Sequence, residues 1–108
     1  MKYLANAFSL QMINMKKRKT DIQAISLTKE EFVTQLKNKD FKSIIGHEDM
    51  ANILSSILKM PIKVNRTSVI LNSGDILFVA QLTGGRLPVG VTALPEGFFL
   101  DFIKVFIK

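Results

Sequence analysis

Outside the basic run Lys16 to Lys19, which holds the third arginine, Arg18, three side chains stand out for chemistry on a phosphate ester: His47, Arg66 and Arg86. His47 is the only histidine in 108 residues. An imidazole exchanges protons near neutral pH and can hand one to a departing oxygen. The planar guanidinium fork of arginine matches phosphoryl oxygens. His47 lies in "SIIGHEDMANILSSILKM", where an apolar run meets the start of a helix. Free N–H groups at a helix mouth attract phosphate. An anion held there favours the protonated imidazole, which can then act as a general acid. The plainer reading is a histidine that caps the helix or bonds a carbonyl, and position alone favours it. Arg66 stands in "VNRTS", at or near a strand start. Arg86 follows Gly84 and Gly85 in "GGRLP", and two glycines let backbone N–H groups approach an anion closely. Each arginine also reads plainly as a solvated loop charge.

Asn6, Ser9, Asn65 and Gln81 are uncharged hydrogen-bonding groups at expected strand ends. They have the chemistry to read a base or ribose, although each taken singly is an ordinary turn or edge residue. Other chemistries are missing. There is no GxxxxGK[ST] loop and no HExxH. The absence of cysteine excludes a disulfide scaffold, a thiolate nucleophile and a cysteine zinc site. One histidine without cysteine argues against zinc, and the scattered carboxylates suggest no magnesium pair. No metal and no cofactor is therefore expected. Metal-free proton transfer is the catalysis that remains.

The elements that must position these groups follow from the pattern of apolar residues. "KYLANAFSL" reads as a first strand and "DIQAISL" as a second, separated by a loop carrying the basic run Lys16, Lys17, Arg18 and Lys19. "SLTKEEFVTQLKNKDF" is the clearest helix, with Thr28 and Glu31 spaced as a capping box. "KSIIGH" is a short buried segment. The second helix opens at "GHEDM" and runs to about Lys59, closed by Pro61, with Glu48 and Asp49 suited to the positive end of its dipole. "IKVNRTSVILNSGDILFVAQL" predicts two strands joined at the "NSGD" turn. "TGGRLPVGVTALPEG" predicts a mobile loop long enough to act as a lid, and "FFLDFIKVFIK" a final strand. The expected fold is α/β in the broad sense, α+β: a mixed sheet flanked by helices, in one domain spanning 1–108.

The formal charge is +6, from 15 basic and 9 acidic residues, which favours an anionic partner. The plain alternative is a basic surface that keeps the chain soluble. No run of about 18 apolar residues exists, so no membrane span is expected. "MKYLANAFSLQMIN" is interrupted by polar residues and lacks a cleavage pattern, so it is not read as a signal peptide. The absence of cysteine fits an intracellular setting.

The motifs "YLANAFS", "SIIGHEDMANILSSIL", "VNR" and "FVAQL…GRLPVG" fall in an order and spacing that resembles the small viral and proviral ring nucleases, the type III anti-CRISPR proteins. The resemblance spans nearly the whole chain. It implies a two-fold dimer that binds cyclic tetra-adenylate across its interface and cuts it, without metal, to linear di-adenylates. It implies His47 as the general acid on the departing 5′-oxygen and Arg86 as the group that stabilises phosphoryl charge. Asn6, Ser9, Asn65, Arg66 and Gln81 match positions lining the ligand pocket, with Gly84 and Gly85 in the closing loop. It implies action in the cytoplasm of an infected or lysogenic prokaryotic host, with neither membrane nor long nucleic acid as the expected partner. The sequence departs from the family at two places: "TALPEGFFLDF" stands, shorter, where the family often has a helix before the last strand, and one motif is altered. The pattern resembling "RLxEG" reads "RLPVG" here, with Val89 where a glutamate is usual. Glu48 or Glu96 would be the substitutes within reach in sequence. The altered motif implies slower cleavage, or a protein that holds the messenger without turning it over. The remaining alternative is a nucleic-acid-binding regulator that uses Lys16 to Lys19.

Overall fold

Helix α1 shows how local sequence sets local structure. Its N-cap Thr28 accepts from the Glu31 N–H at 3.1 Å through its hydroxyl, and Glu31 reaches back to accept from the Thr28 N–H at 2.9 Å. Both bonds of the predicted capping box are therefore made. The computed structural model describes residues 1–38 and 40–108. Along the chain lie β1 (Lys2–Ala5), a 3-10 turn (Leu10–Met12), β2 (Ile22–Leu27), α1 (Lys29–Lys37), β3 (Lys42–Ser43), α2 (Glu48–Leu58), β4 (Ile76–Thr83) and β5 (Phe99–Ile107). The expected α1 window runs on through Lys39, which lies outside the described residues.

The strands form one five-stranded sheet in the order β2-β5-β4-β1-β3. β1 pairs in parallel with β3 and β4, while β5 is antiparallel to β2 and β4. The mixed α+β architecture read from the sequence is the architecture observed. Side chains alternate across the sheet, so β1, β4 and β5 each feed two cores. On one face Leu4, Phe78 and Ala80 meet Phe32 and Leu36 of α1 and Met50, Ala51, Leu54 and Leu58 of α2. Phe32 stands edge-on to Phe78 at 5.4 Å between ring centres and lies tilted against Phe102 at 5.0 Å. On the other face Tyr3, Leu77, Val79, Val105 and Ile107 are covered by irregular chain, through Ile13 and Leu71. Burial, with the Asp75 carboxylate nearby, pushes the Tyr3 phenol above its ordinary range.

Two expectations change. The segment "IKVNRTSVIL" is not a strand. Both neighbours of β4 are already taken, by β1 and β5, so no ladder is open to a hairpin partner. Its apolar residues cover surfaces instead: Ile62 joins the helix-side core and Leu71 the opposite one. A single parallel bridge, Ile13 to Leu71, is its link to another extended segment. The "NSGD" turn forms, held by the Asp75 carboxylate, which accepts from the Asn72 N–H at 2.9 Å and pairs with the N-terminal amine at 3.1 Å. It connects irregular chain to β4 rather than two strands. The first strand is also shorter than expected. Its ladder stops at Ala5, and Ser9 caps the 3-10 turn by accepting from the Gln11 N–H at 3.2 Å. α2 ends before Pro61, at Lys59 in the left-handed conformation with φ 54°. No helix among the described residues is long and apolar enough to cross a membrane.

Candidate functional site

β1 and β4 run side by side in the same direction, so their C-terminal ends open at one edge of the sheet. Asn6 follows the last paired residue of β1, and Leu82 lies near the end of β4 on the helix side. The N-terminus of α2 arrives at the same edge, bringing His47 and Met50. The loop between β4 and β5 folds over it with Arg86, Leu87 and Val89. These seven residues line a cleft of about 460 Å³. That volume lies within the range of small-molecule sites, about 300–1,000 Å³.

His47 is the N-cap residue of α2, in extended conformation with φ −127° and ψ 127°. Its carbonyl accepts the first helical bond, from the Ala51 N–H at 3.0 Å. Its side chain makes no capping hydrogen bond and is exposed. The plain reading of a capping histidine therefore does not hold. The imidazole stands at an uncapped helix mouth inside a cleft that also holds a guanidinium.

Arg66 comes close by another route. A side chain built on Gly46 would meet the Arg66 Cγ at 3.3 Å, so the arginine stem lies against the residue just before His47. Asn65 holds it there. Its backbone N–H donates to the Ile45 carbonyl and its side-chain amide to the Ser43 carbonyl, both at 2.8 Å. Asn65 thus positions Arg66 instead of lining the His47 cleft. Ser9 lies next door, in a cleft of about 340 Å³ that shares Asn6 and adds Gln11, Thr67 and Ser68. Gln81 pairs with Asp101 in the ladder, and strand alternation turns it to the sheet face opposite Leu82. Gly84 forms the neck of the loop: a side chain there would meet the Gly97 carbonyl at 2.7 Å. Gly84 and Gly85, with φ 123° and 127°, hold backbone conformations that favour glycine, but neither lines the cleft.

Of the residues singled out from sequence, Asn6, His47 and Arg86 thus share one cleft. Arg66 adjoins it and Ser9 borders it, whereas Asn65, Gln81, Gly84 and Gly85 lie elsewhere. Val89 is fully exposed at the mouth. Neither Glu48 nor Glu96 lines the cleft. The carboxylate that does engage the loop is Asp49, which accepts from the Gly90 N–H at 3.0 Å. In sequence it is only an acid suited to the helix dipole. Met50, Leu82 and Leu87 were missed because their apolar spacing reads as core. The basic run lies far off, at the other end of the sheet, where the Lys17 ammonium donates to the Ser73 hydroxyl at 2.8 Å just before β4 begins. Among the described residues no three His, Cys, Asp or Glu side chains converge.

A family model described as STIV B116-like matches residues 2–98. The chain is similar to the uncharacterized protein ORF117 of Acidianus two-tailed virus, 38% identical over 91 residues, covering 80% of this chain and 78% of that one. It is also similar to the uncharacterized protein 26 of Sulfolobus islandicus filamentous virus (isolate Iceland/Hveragerdi), 36% identical over 79 residues, covering 69% of this chain and 67% of that one. The solved structure of B116 of Sulfolobus turreted icosahedral virus (STIV) shares the fold, with a TM-score of 0.79, 97% of both chains covered and 23% identity.

Proposed function

The chain belongs to the STIV B116-like family of viral proteins, and on that premise we propose that it is a metal-independent ring nuclease for cyclic tetra-adenylate. One observation carries the reading: Asn6, His47 and Arg86, from three separate stretches of chain, line one cleft at the uncapped mouth of α2. The ribose 2′-hydroxyl attacks the adjacent phosphorus and the P–O5′ bond breaks. His47 gives its proton to the departing 5′-oxygen, and the proton of the attacking hydroxyl passes to solvent. A 2′,3′-cyclic phosphate and a free 5′-hydroxyl result. Arg86 stabilises the charge that builds on the phosphoryl oxygens, and Arg66, beside Gly46, adds a second guanidinium near the same phosphate. General acid catalysis of this kind contributes about 10²–10⁴-fold.

A ring of four nucleotides exceeds what one such cleft encloses. The reading therefore includes a two-fold dimer, whose paired clefts make two symmetry-related cuts and release linear di-adenylates. The setting is the host cytoplasm, where destroying the messenger silences type III CRISPR effectors. Without a carboxylate at Val89, cleavage is slow; a chain that holds the ring without cutting it would be a sequestering protein, the alternative to the nuclease.

A second reading has its own observation. Lys16, Lys17, Arg18 and Lys19 lie at the end of the sheet away from the cleft, so the excess positive charge is not concentrated where the messenger would bind. A phosphodiester backbone bound there would make this a nucleic-acid-binding regulator.

Incubating labelled cyclic tetra-adenylate with the protein in EDTA separates these readings. Linear di-adenylate ending in a cyclic phosphate is the expected product. Stoichiometric retention without product leaves a sequestering protein. Binding that ignores the ring, favours linear strands and falls steeply with salt supports the regulator and overturns the nuclease.

A further inference from the structure

The loop that carries Arg86 is held in three ways. At its neck, Gly84 packs so closely on the Gly97 carbonyl and Phe98 that no side chain fits. Partway along, Leu87 joins the helix-side core. At its far reach the Gly90 N–H donates to the Asp49 carboxylate at 3.0 Å. The first two contacts fix the loop to the sheet and the core. The third fixes it to the first turn of α2, two residues beyond His47. Gly90 holds φ 83°, a conformation that favours glycine. Val89 and Arg86, on the stretch between neck and tether, line the cleft facing His47.

We infer that Asp49 is a positioning residue, whose hydrogen bond to Gly90 sets the placement of Arg86 against His47. The inference rests on the proposed ring nuclease activity for its catalytic consequence, while the tether itself stands on geometry. A carboxylate at an anion-binding mouth would otherwise oppose the ligand. Engaged with the loop amide, it holds the cationic side of the cleft together instead. The arrangement also couples the loop to the helix mouth, because an opening of the loop frees the Asp49 charge close to where phosphate would lie.

The test uses the full chain and three variants. Asp49→Ala removes the acceptor. Asp49→Asn keeps a carbonyl oxygen able to accept from the same N–H. Glu48→Ala removes one negative charge from the same helical turn without touching the loop. Hydrogen exchange of the Gly90 amide, read without ligand, is expected to speed up about tenfold in Asp49→Ala, the weight of one hydrogen bond to a charged acceptor. Glu48→Ala should leave it unchanged, and Asp49→Asn should restore most of the protection. With cyclic tetra-adenylate, single-turnover cleavage by Asp49→Ala should fall about tenfold while Asp49→Asn recovers it. Unaltered exchange in Asp49→Ala overturns the tether. Faster exchange with unaltered cleavage overturns the positioning role. If the wild-type protein cuts no ring at all, the nuclease reading fails on its own, and the exchange data still decide whether Asp49 holds the loop.

Discussion

Helix α1 begins with its donors satisfied by its own sequence. The Thr28 hydroxyl takes the Glu31 N–H, and the Glu31 carboxylate takes the Thr28 N–H. Helix α2 begins with an imidazole that caps nothing, and Asp49 in its first turn accepts from a loop amide 41 residues away. Both helices lie on the same face of the same sheet and feed the same core. The difference is therefore not one of fold. A helix mouth that closes on itself contributes only stability. One that gives up its cap keeps N–H groups and a titratable ring available to a ligand, at a cost of about 1 kcal/mol in forgone capping. Sequence choices that lower local stability at one of two equivalent places mark the place with another task.

Exchanging properties between the two mouths breaks or sharpens this comparison. The largest expected effect comes from His47→Ser, which gives α2 the cap it lacks. Thermal unfolding should show a gain of about 1 kcal/mol, and ring cleavage should fall about 10²–10⁴-fold. A loss of stability together with the loss of activity would mean that the histidine holds the helix after all. Thr28→Ala is the mirror experiment. It should cost about 1 kcal/mol in denaturant unfolding and leave cleavage untouched, because neither Thr28 nor any residue of α1 lines the cleft. The smallest effect is expected from Val89→Glu. That side chain is fully exposed, so stability should stay within about 0.5 kcal/mol. The cleavage rate should rise several-fold if a carboxylate at the cleft mouth is what limits turnover. An unchanged rate would show that the loop needs no acid at that position.

Much of this was legible in the sequence where the signal was local. The capping box of α1, the start of α2 and the density of phenylalanine and isoleucine in β5 each depend on residues a few positions apart. The segment 62–71 was misread because alternation shows only which side chains are buried. Whether a ladder partner is free depends on β1 and β5, distant in sequence, having already flanked β4. The site divides in the same way. His47, Arg86 and Asn6 were recognisable by type and converge. Gln81 faces the side of the sheet opposite Leu82, a matter of one-residue strand parity. Asn65 was the right type but committed to the Ser43 and Ile45 carbonyls. Asp49 could not be picked out, because what gives it a task is Gly90, and no local pattern links the two.

The most direct measurement is single-turnover cleavage of cyclic tetra-adenylate, with EDTA present and protein in excess, by the wild-type chain and by His47→Ser at matched ligand occupancy. The account predicts that the variant still binds the ring and cuts it at least about a hundredfold more slowly. A variant that cuts within a few-fold of wild type would contradict it and remove the mouth of α2 from the chemistry.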